Sequence, residues 1–416
     1  MREDATAYRP GHYTLQNDPA IDARVDQDLH QVCREVLQAL GSDVTAILLT
    51  GGFGRGEGSV TKRGERVQII NDYDVAIALR GSGWLGSRYV LWRNRRRLGA
   101  LPQRLAEHLG IKQVDLTLRL PTYFTRGTPL RIENYEVKHG HRVLFGKIDP
   151  CDGMPDWRSE DIPAFEATWL FRNRGIGLLM AAAYLQPDGS INEADRQNFL
   201  VECSKAQIAM GDAILILARQ YHFSYAERLQ RIDLFDWTSL PRGESVQRHY
   251  REGLHRKLAP DSVPFNLTDA QSLWDDVAGH FESTFRYCEE QRLGRRFHDW
   301  LDYEALSKPE DGLEWRRALQ MALGAGLGVL RIDVWRTAAL SANRSRSVSL
   351  VALLLFSRTS SSTTEKYLKR ASELIGTVPS VDHMNDWAKM TSRLLLSLHP
   401  EGEAGRVARS LSTTAS

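Results

Sequence analysis

Cysteine is scarce in this chain of 416 residues. Cys33, Cys151, Cys203 and Cys288 are its four, and no two form a CxxC pair. Such isolated thiols exclude a zinc ribbon and a disulfide framework, and they fit a reducing compartment. Long apolar runs are missing as well. The longest, Leu319–Leu330 and Leu350–Phe356, fall short of the ~18 residues that a membrane-spanning helix needs. The opening MREDATAYRPGHY lacks the apolar core of a signal peptide, so a cytoplasmic location is expected. No strong charge of either sign marks the whole chain. A net +2 gives no reason by itself to expect nucleic-acid binding. No repeat of fixed period is present. Two common phosphate motifs are absent too: neither GxGxxG nor GxxxxGK[ST] fits the glycine-rich stretch after Thr50.

What is there begins with size and a core. The length fits two or three domains, and 42% hydrophobic residues can bury a sizeable interior. Apolar residues at Ile21, Val25, Leu29, Val32, Val36 and Leu40 have helical spacing, and Gly41 is placed to end that helix. Short apolar runs at Val44–Leu49, Tyr73–Leu79 and Val114–Leu118 read as buried strands, with Arg142–Phe145 as a fourth. A helix is expected over Asn94–Leu109. After Pro150 helical periodicity takes over, at Ala164–Leu185, Glu193–Arg219, 269–290, Trp315–Leu330, Leu350–Phe356, Glu365–Leu374 and Trp387–Leu398. Segments 236–265 and 303–312 carry Pro, Gly and charge and read as loops. The tail from Glu401 is small and polar and is expected to fray.

The chemistry concentrates between Thr50 and Leu79. Gly51, Gly52, Gly54, Gly56 and Gly58 follow directly on a strand. Without side chains, such a loop lets backbone N–H groups approach a phosphate. Arg55 within it can add a charged fork. Asp72 and Asp74 are one residue apart at the head of the next strand. Alternate residues of a strand share a face, so the two carboxylates point the same way. Like charges held side by side repel unless a cation sits between them, and hard oxygen ligands suit Mg²⁺. Asp115 opens a further apolar strand and can complete the set. The plainer reading is a flexible surface turn followed by strand-end acids.

In these residues the chain resembles the polymerase β-type nucleotidyltransferase superfamily. GG-x-G-R-G-E, then D-x-D on a strand, then a later strand Asp is that family's order, over roughly residues 44–120. The resemblance implies an α+β fold: a nucleotidyltransferase-type small mixed sheet with flanking helices, followed by all-helical domains. On that basis residues 1–150 are expected to be the catalytic domain, 151–300 a helical domain and 301–416 a C-terminal helical region. It implies transfer of a nucleoside monophosphate from an NTP, expected to be ATP, to a hydroxyl, with release of pyrophosphate. Asp72, Asp74 and Asp115 would be catalytic and would hold Mg²⁺ or Mn²⁺. Gly51, Gly52 and Arg55 would hold the nucleotide's phosphates. The family often has Ser where this chain has Gly52. The link from Gly52 to Asp72 is also longer than usual and carries TKRGER, either a β-turn insertion that touches the acceptor or a solvated hairpin.

Three further features stay open between a functional and a plain reading. Lys205 lies in the strongly apolar NFLVECSKAQIAMGDAILILA. It is either a nucleotide contact or a lysine snorkelling at a helix edge, with Asp212 seven residues on along the same face. Arg88, Arg93, Arg95, Arg96 and Arg97 interleave with Tyr89 and Trp92. They suit single-stranded nucleic acid, a sugar phosphate, or simply a solvated helix face. His139 and His141, in KHGHR, read as a surface turn more readily than as metal ligands. A small molecule or sugar is the favoured acceptor. Transfer onto RNA or protein is the alternative, and a silent nucleotide-binding scaffold is the third reading.

Overall fold

A computed structural model describes residues 11–64, 66–70, 72–81, 83–260, 269–306, 344–359, 363–376, 383–398 and 402–414. The chain is mixed α+β, with a small sheet and many helices. It divides into two compact units that interleave along the sequence. The first comprises Met1–Pro163, Ala218–Phe235 and Leu254–Pro264. The second comprises Ala164–Leu217, Asp236–Gly253 and Phe265–Ser416. Linear cuts near 150 and 300 therefore differ from the observed division. The chain leaves the first unit at Pro163 and returns to it twice.

The first unit is built on strands β1 (Val44–Thr50), β4 (Tyr73–Leu79), β5 (Val114–Arg119) and β6 (Arg142–Phe145), in the order β5-β4-β1-β6. β4 and β5 are parallel, and the other pairs are antiparallel. In the insertion, β2 (Val60–Arg63) pairs antiparallel with β3 (Arg66–Ile69). Both sheet faces are covered, which is why the central strands read as continuous apolar runs. Ile47, Leu49, Val75 and Ile77 pack on one face with Val25, Leu29, Val32 and Val36 of α1 (Pro19–Leu40). Ala46, Leu48, Ala76 and Ala78 pack on the other with Val137, Cys151 and Met154.

α1 starts where Asp18 accepts from the Ala20 N–H and Pro19 holds the first turn. It stops at Gly41, whose φ of 59° suits a residue with no Cβ. The helix expected over Asn94–Leu109 is two helices, α2 (Gly83–Leu98) and α3 (Leu101–Leu109). Gly99, at φ 43°, breaks the run, and Pro102 in the first turn of α3 starts the next. After α4 (Ile132–Gly140), the first unit also receives α7 (Tyr225–Asp233) and the end of α8 (Gly243–Leu258). α8 lies in the 236–265 segment expected to be a loop. Its buried Val246, Tyr250 and Leu254 recur every four residues, a helical signal masked by the surrounding charge.

The second unit is helical. α5 (Phe165–Tyr184) and α6 (Glu193–Leu217) pack along their lengths, with α9 (Ala270–Leu293) across both. Trp274, Val277, Phe281, Phe285 and Cys288 of α9 are buried, as their spacing predicts. Phe171 and Phe285 stack with ring centres 4.7 Å apart, and Trp300 and Phe356 stack at 4.8 Å. The tail is not frayed: Gly402–Thr414 is helical and buries Val407 and Ala408. The helix expected over Trp315–Leu330 lies outside the described residues.

Candidate functional site

The three acids meet at one end of the sheet. β4 and β5 run parallel with Asp74 beside Asp115, and Asp72 is one side-chain period before Asp74. The row Ala78–Ala76–Asp74–Asp72 thus passes from apolar to acidic as the strand emerges from the core. Tyr73, between the two acids, points the other way. It is fully buried, and its hydroxyl donates to Asp28 at 3.0 Å. One carboxylate oxygen from each of Asp72, Asp74 and Asp115 lies within 4.8 Å of the others. Burial, then Asp72, then Asp115 push the Asp74 carboxyl up to about 7; Lys257 and Arg55 oppose this only in part. Burial also raises Asp115, with Asp72 adding to it and a hydrogen bond from the Gln113 amide opposing. Three carboxylates crowded together in this way are the donor set that a small hard cation relieves.

The glycine stretch ends β1 in a single helical turn, Gly51–Gly54. Gly51 has φ 64°, and a Cβ there would stand 2.0 Å from the Asp74 Oδ2. The backbone therefore lies directly against the acid cluster, and only glycine permits it. A Cβ on Gly54 would meet the Leu49 and Gly140 carbonyl oxygens at 2.5 and 2.9 Å. Gly52 is more permissive. A Cβ there would sit 3.2 Å from the Glu57 carbonyl oxygen, a contact that a small shift relieves.

Arg55 differs from the expectation. Its side chain is 4% exposed and lies among carboxylates: Nη1 is 3.1 Å from Glu136, and Nε is 3.5 Å from Glu57 without a hydrogen bond. The guanidinium also covers the Tyr225 ring at 4.7 Å. Burial pulls its proton affinity down, and Glu136, Tyr225 and Tyr221 together more than offset that. Burial likewise raises the Glu136 carboxyl, but Arg55 and Arg228 hold it below the ordinary range. Glu57, 2% exposed, accepts from the Ser224 hydroxyl at 2.6 Å and from the Tyr225 and Ala226 N–H groups at 2.9 Å. It caps α7, where a carboxylate is favoured. The network makes Arg55 a clamp that fixes the glycine turn to α4 and α7, not an open phosphate fork.

Lys257 was not anticipated. It is a cation that lowers the Asp74 carboxyl, and its ammonium lies 6.0 Å from the centre of the Tyr225 ring. The Ser59 hydroxyl, just past the glycine turn, donates to the Lys257 carbonyl. No local pattern announces a contact spanning nearly two hundred residues.

Comparison with known proteins brings no assignment. No family model, curated protein or solved structure matches this chain.

The remaining candidates have definite surroundings. Lys205 belongs to the second unit, where its ammonium pairs with Glu202 at 2.9 Å on the same helix. Asp212 is buried there and accepts from the Tyr250 hydroxyl at 2.7 Å, so it is not Lys205's partner. The arginine cluster lies on α2. Arg93 and Arg97 reach Asp43, while Tyr89 and Trp92 are 57% and 51% exposed, with Arg96 covering Trp92 at 4.3 Å. His141 is not on an open turn. Its Nδ1 bonds the Val137 carbonyl at 2.7 Å and its Nε2 bonds Asp149 at 2.8 Å, beside Cys151. Both ring nitrogens are thereby satisfied. All four cysteines are buried thiols, and no helix among the described residues is long and apolar enough to cross a membrane.

Proposed function

We propose that this protein is a metal-dependent nucleotidyltransferase that moves a nucleoside monophosphate from an NTP to an acceptor hydroxyl and releases pyrophosphate. The observation that carries the reading is the convergence of Asp72, Asp74 and Asp115 against the backbone of Gly51. Asp72 and Asp74 would hold Mg²⁺ or Mn²⁺, with Asp115 as a further ligand or as the base for the acceptor. Bound there, such an ion supplies charge neutralisation for the transferred and leaving phosphates. The turn at Gly51 and Gly52 brings backbone without side chains up to the acids, and phosphate oxygens would approach there. Lys257 supplies positive charge on the same side and offsets part of the charge of a triphosphate. Arg55 and Glu57 hold the turn in place. As the base, Asp115 takes the proton from the acceptor hydroxyl, a role its raised proton affinity suits.

The acceptor read as favoured is a small molecule or sugar. The exposed Tyr89 and Trp92 among arginines support RNA as the second reading, because bases stack on aromatic faces and arginines neutralise phosphates. Incubation with each labelled NTP, Mg²⁺ or Mn²⁺, and separate metabolite, RNA and protein fractions distinguishes the acceptors by where the label appears. The Asp72→Asn/Asp74→Asn protein should lose pyrophosphate release by at least about a thousandfold while keeping its circular dichroism spectrum. Full turnover in that protein overturns the proposal.

A further inference from the structure

A second cluster of ligating side chains lies in the helical unit, on residues that the proposed transferase chemistry does not use. His249 is on α8; Asp276 and His280 are four residues apart on α9, one turn along a common face. One ligand atom from each lies within 4.8 Å of the others. The two imidazole rings are 4.7 Å apart, centre to centre. Asp276 is about half exposed, whereas the His249 and His280 side chains are 4% and 9% exposed. The cluster therefore has two buried nitrogens and one carboxylate that opens to water.

The hydrogen bonding makes this more than a buried ion pair. The His249 Nε2 lies 3.1 Å from Asp276 Oδ2, yet this buried nitrogen makes no hydrogen bond. The carboxylate is near the nitrogen but off the line of an N–H donor. A buried polar atom left so is costly, and a cation lying between nitrogen and carboxylate removes the cost. The other nitrogens have the outer partners that metal-binding histidines carry. The His280 Nδ1 lies 2.8 Å from the Asp276 backbone carbonyl and 3.2 Å from the Asp276 Oδ1. Donating its proton there leaves the lone pair on Nε2. The His249 Nδ1 lies 2.8 Å from the Gln207 amide nitrogen, and a half-turn of that amide brings its oxygen there instead. With the amide oxygen turned toward it, Nδ1–H donates and Nε2 is left with its lone pair, the form a metal requires. The His141–Asp149–Cys151 group is the useful contrast: both nitrogens of its histidine are already bonded.

We propose that His249, Asp276 and His280 bind one divalent first-row transition ion, with Zn²⁺ as the best fit and water in the position that Asp276 leaves open. Two imidazoles and one carboxylate are borderline ligands that suit zinc and its neighbours, whereas magnesium prefers the all-oxygen donors of the acid cluster. Bonds of about 2.0–2.2 Å require the three ligands to close in by small side-chain rotations. The two ion sites are thus chemically distinct.

The test uses the full chain, stripped with chelator and titrated with Zn²⁺ against a chromophoric competitor in millimolar Mg²⁺. One zinc per chain should bind at submicromolar concentration and raise the melting temperature. Cobalt in its place should give the visible absorption of a four-coordinate site. His249→Gln/His280→Gln should weaken zinc binding at least a hundredfold, and Asp276→Asn, at a half-exposed position, at least tenfold. Asp72→Asn/Asp74→Asn and His141→Gln should both keep the zinc, so failure of the transferase reading would leave this result standing. If the double histidine protein does not fold, the Asp276→Asn titration decides. Unchanged affinity in Asp276→Asn, loss of zinc in His141→Gln, or no submicromolar binding by the unaltered chain overturns the proposal.

Discussion

At the scale of single residues, the site stores electrostatic stress that a cation would release. Asp74 ionises near its ordinary value of 3.8 in the unfolded chain, but only near 7 in the folded one, because of burial, Asp72 and Asp115. Between those values the folded state binds more protons, so stability falls as pH rises through the window. Ionised Asp74 then costs about 2–4 kcal/mol above pH 7. Asp74→Asn should accordingly raise the melting temperature of the metal-free protein at pH 8 and leave it nearly unchanged at pH 4. Mg²⁺ should stabilise the unaltered chain more at pH 8 than at pH 5. Calorimetry at the two pH values checks both, and an Asp74→Asn protein that melts lower at pH 8 contradicts the stress. Gly51→Ala tests the neighbouring contact. A Cβ at φ 64°, 2.0 Å from Asp74 Oδ2, should cost about 1–2 kcal/mol in backbone strain alone. It should also push the carboxylate aside, lowering turnover at least tenfold, as a pyrophosphate-release assay would read.

At the scale of elements, the strands were legible and the supporting clamp was not. Val44–Thr50 and Tyr73–Leu79 announce themselves as apolar runs because both faces of the sheet are covered. The D-x-D spacing was readable for the same reason: strand alternation alone places Asp72 and Asp74 on one face. α8 was missed because its buried Val246, Tyr250 and Leu254 are embedded in charge. The partners of Arg55 were missed because Glu57 binds the start of α7, 167 to 169 residues away. An arginine in a glycine turn looks like a phosphate ligand until Glu136 is found beside it. Arg55→Met should therefore act on stability first. Leaving the buried Glu57 and the partly buried Glu136 with less positive charge should cost about 3 kcal/mol and lower the melting temperature by roughly 5–10 °C. An unchanged melting temperature with a raised KM for the nucleotide would return Arg55 to phosphate binding.

At the scale of the whole molecule, the interleaving of the two units decides what can be cut away. The segment Met1–Pro163 holds every acid of the candidate site and the sheet that carries them, so it looks self-sufficient. Its inner charges are not satisfied within it. Glu57 needs the Ser224 hydroxyl and the N–H groups of Tyr225 and Ala226, and Glu136 needs Tyr221 and Arg228. Lys257, which offsets Asp74, comes from a third stretch of chain. A chain ending at Pro163 would carry the buried Glu57 without its helix, a loss worth a few kcal/mol against a typical total of about 5–15, and the acid cluster without its lysine. Such a chain should show no cooperative melting transition and no pyrophosphate release. Joining residues 218–264 to it should restore cooperative melting even without the rest of the helical unit. A residue 1–163 chain that melts sharply near the temperature of the full protein would mean that the returning segments only decorate the first unit and that the Arg55–Glu57–Glu136 clamp does not hold the site together.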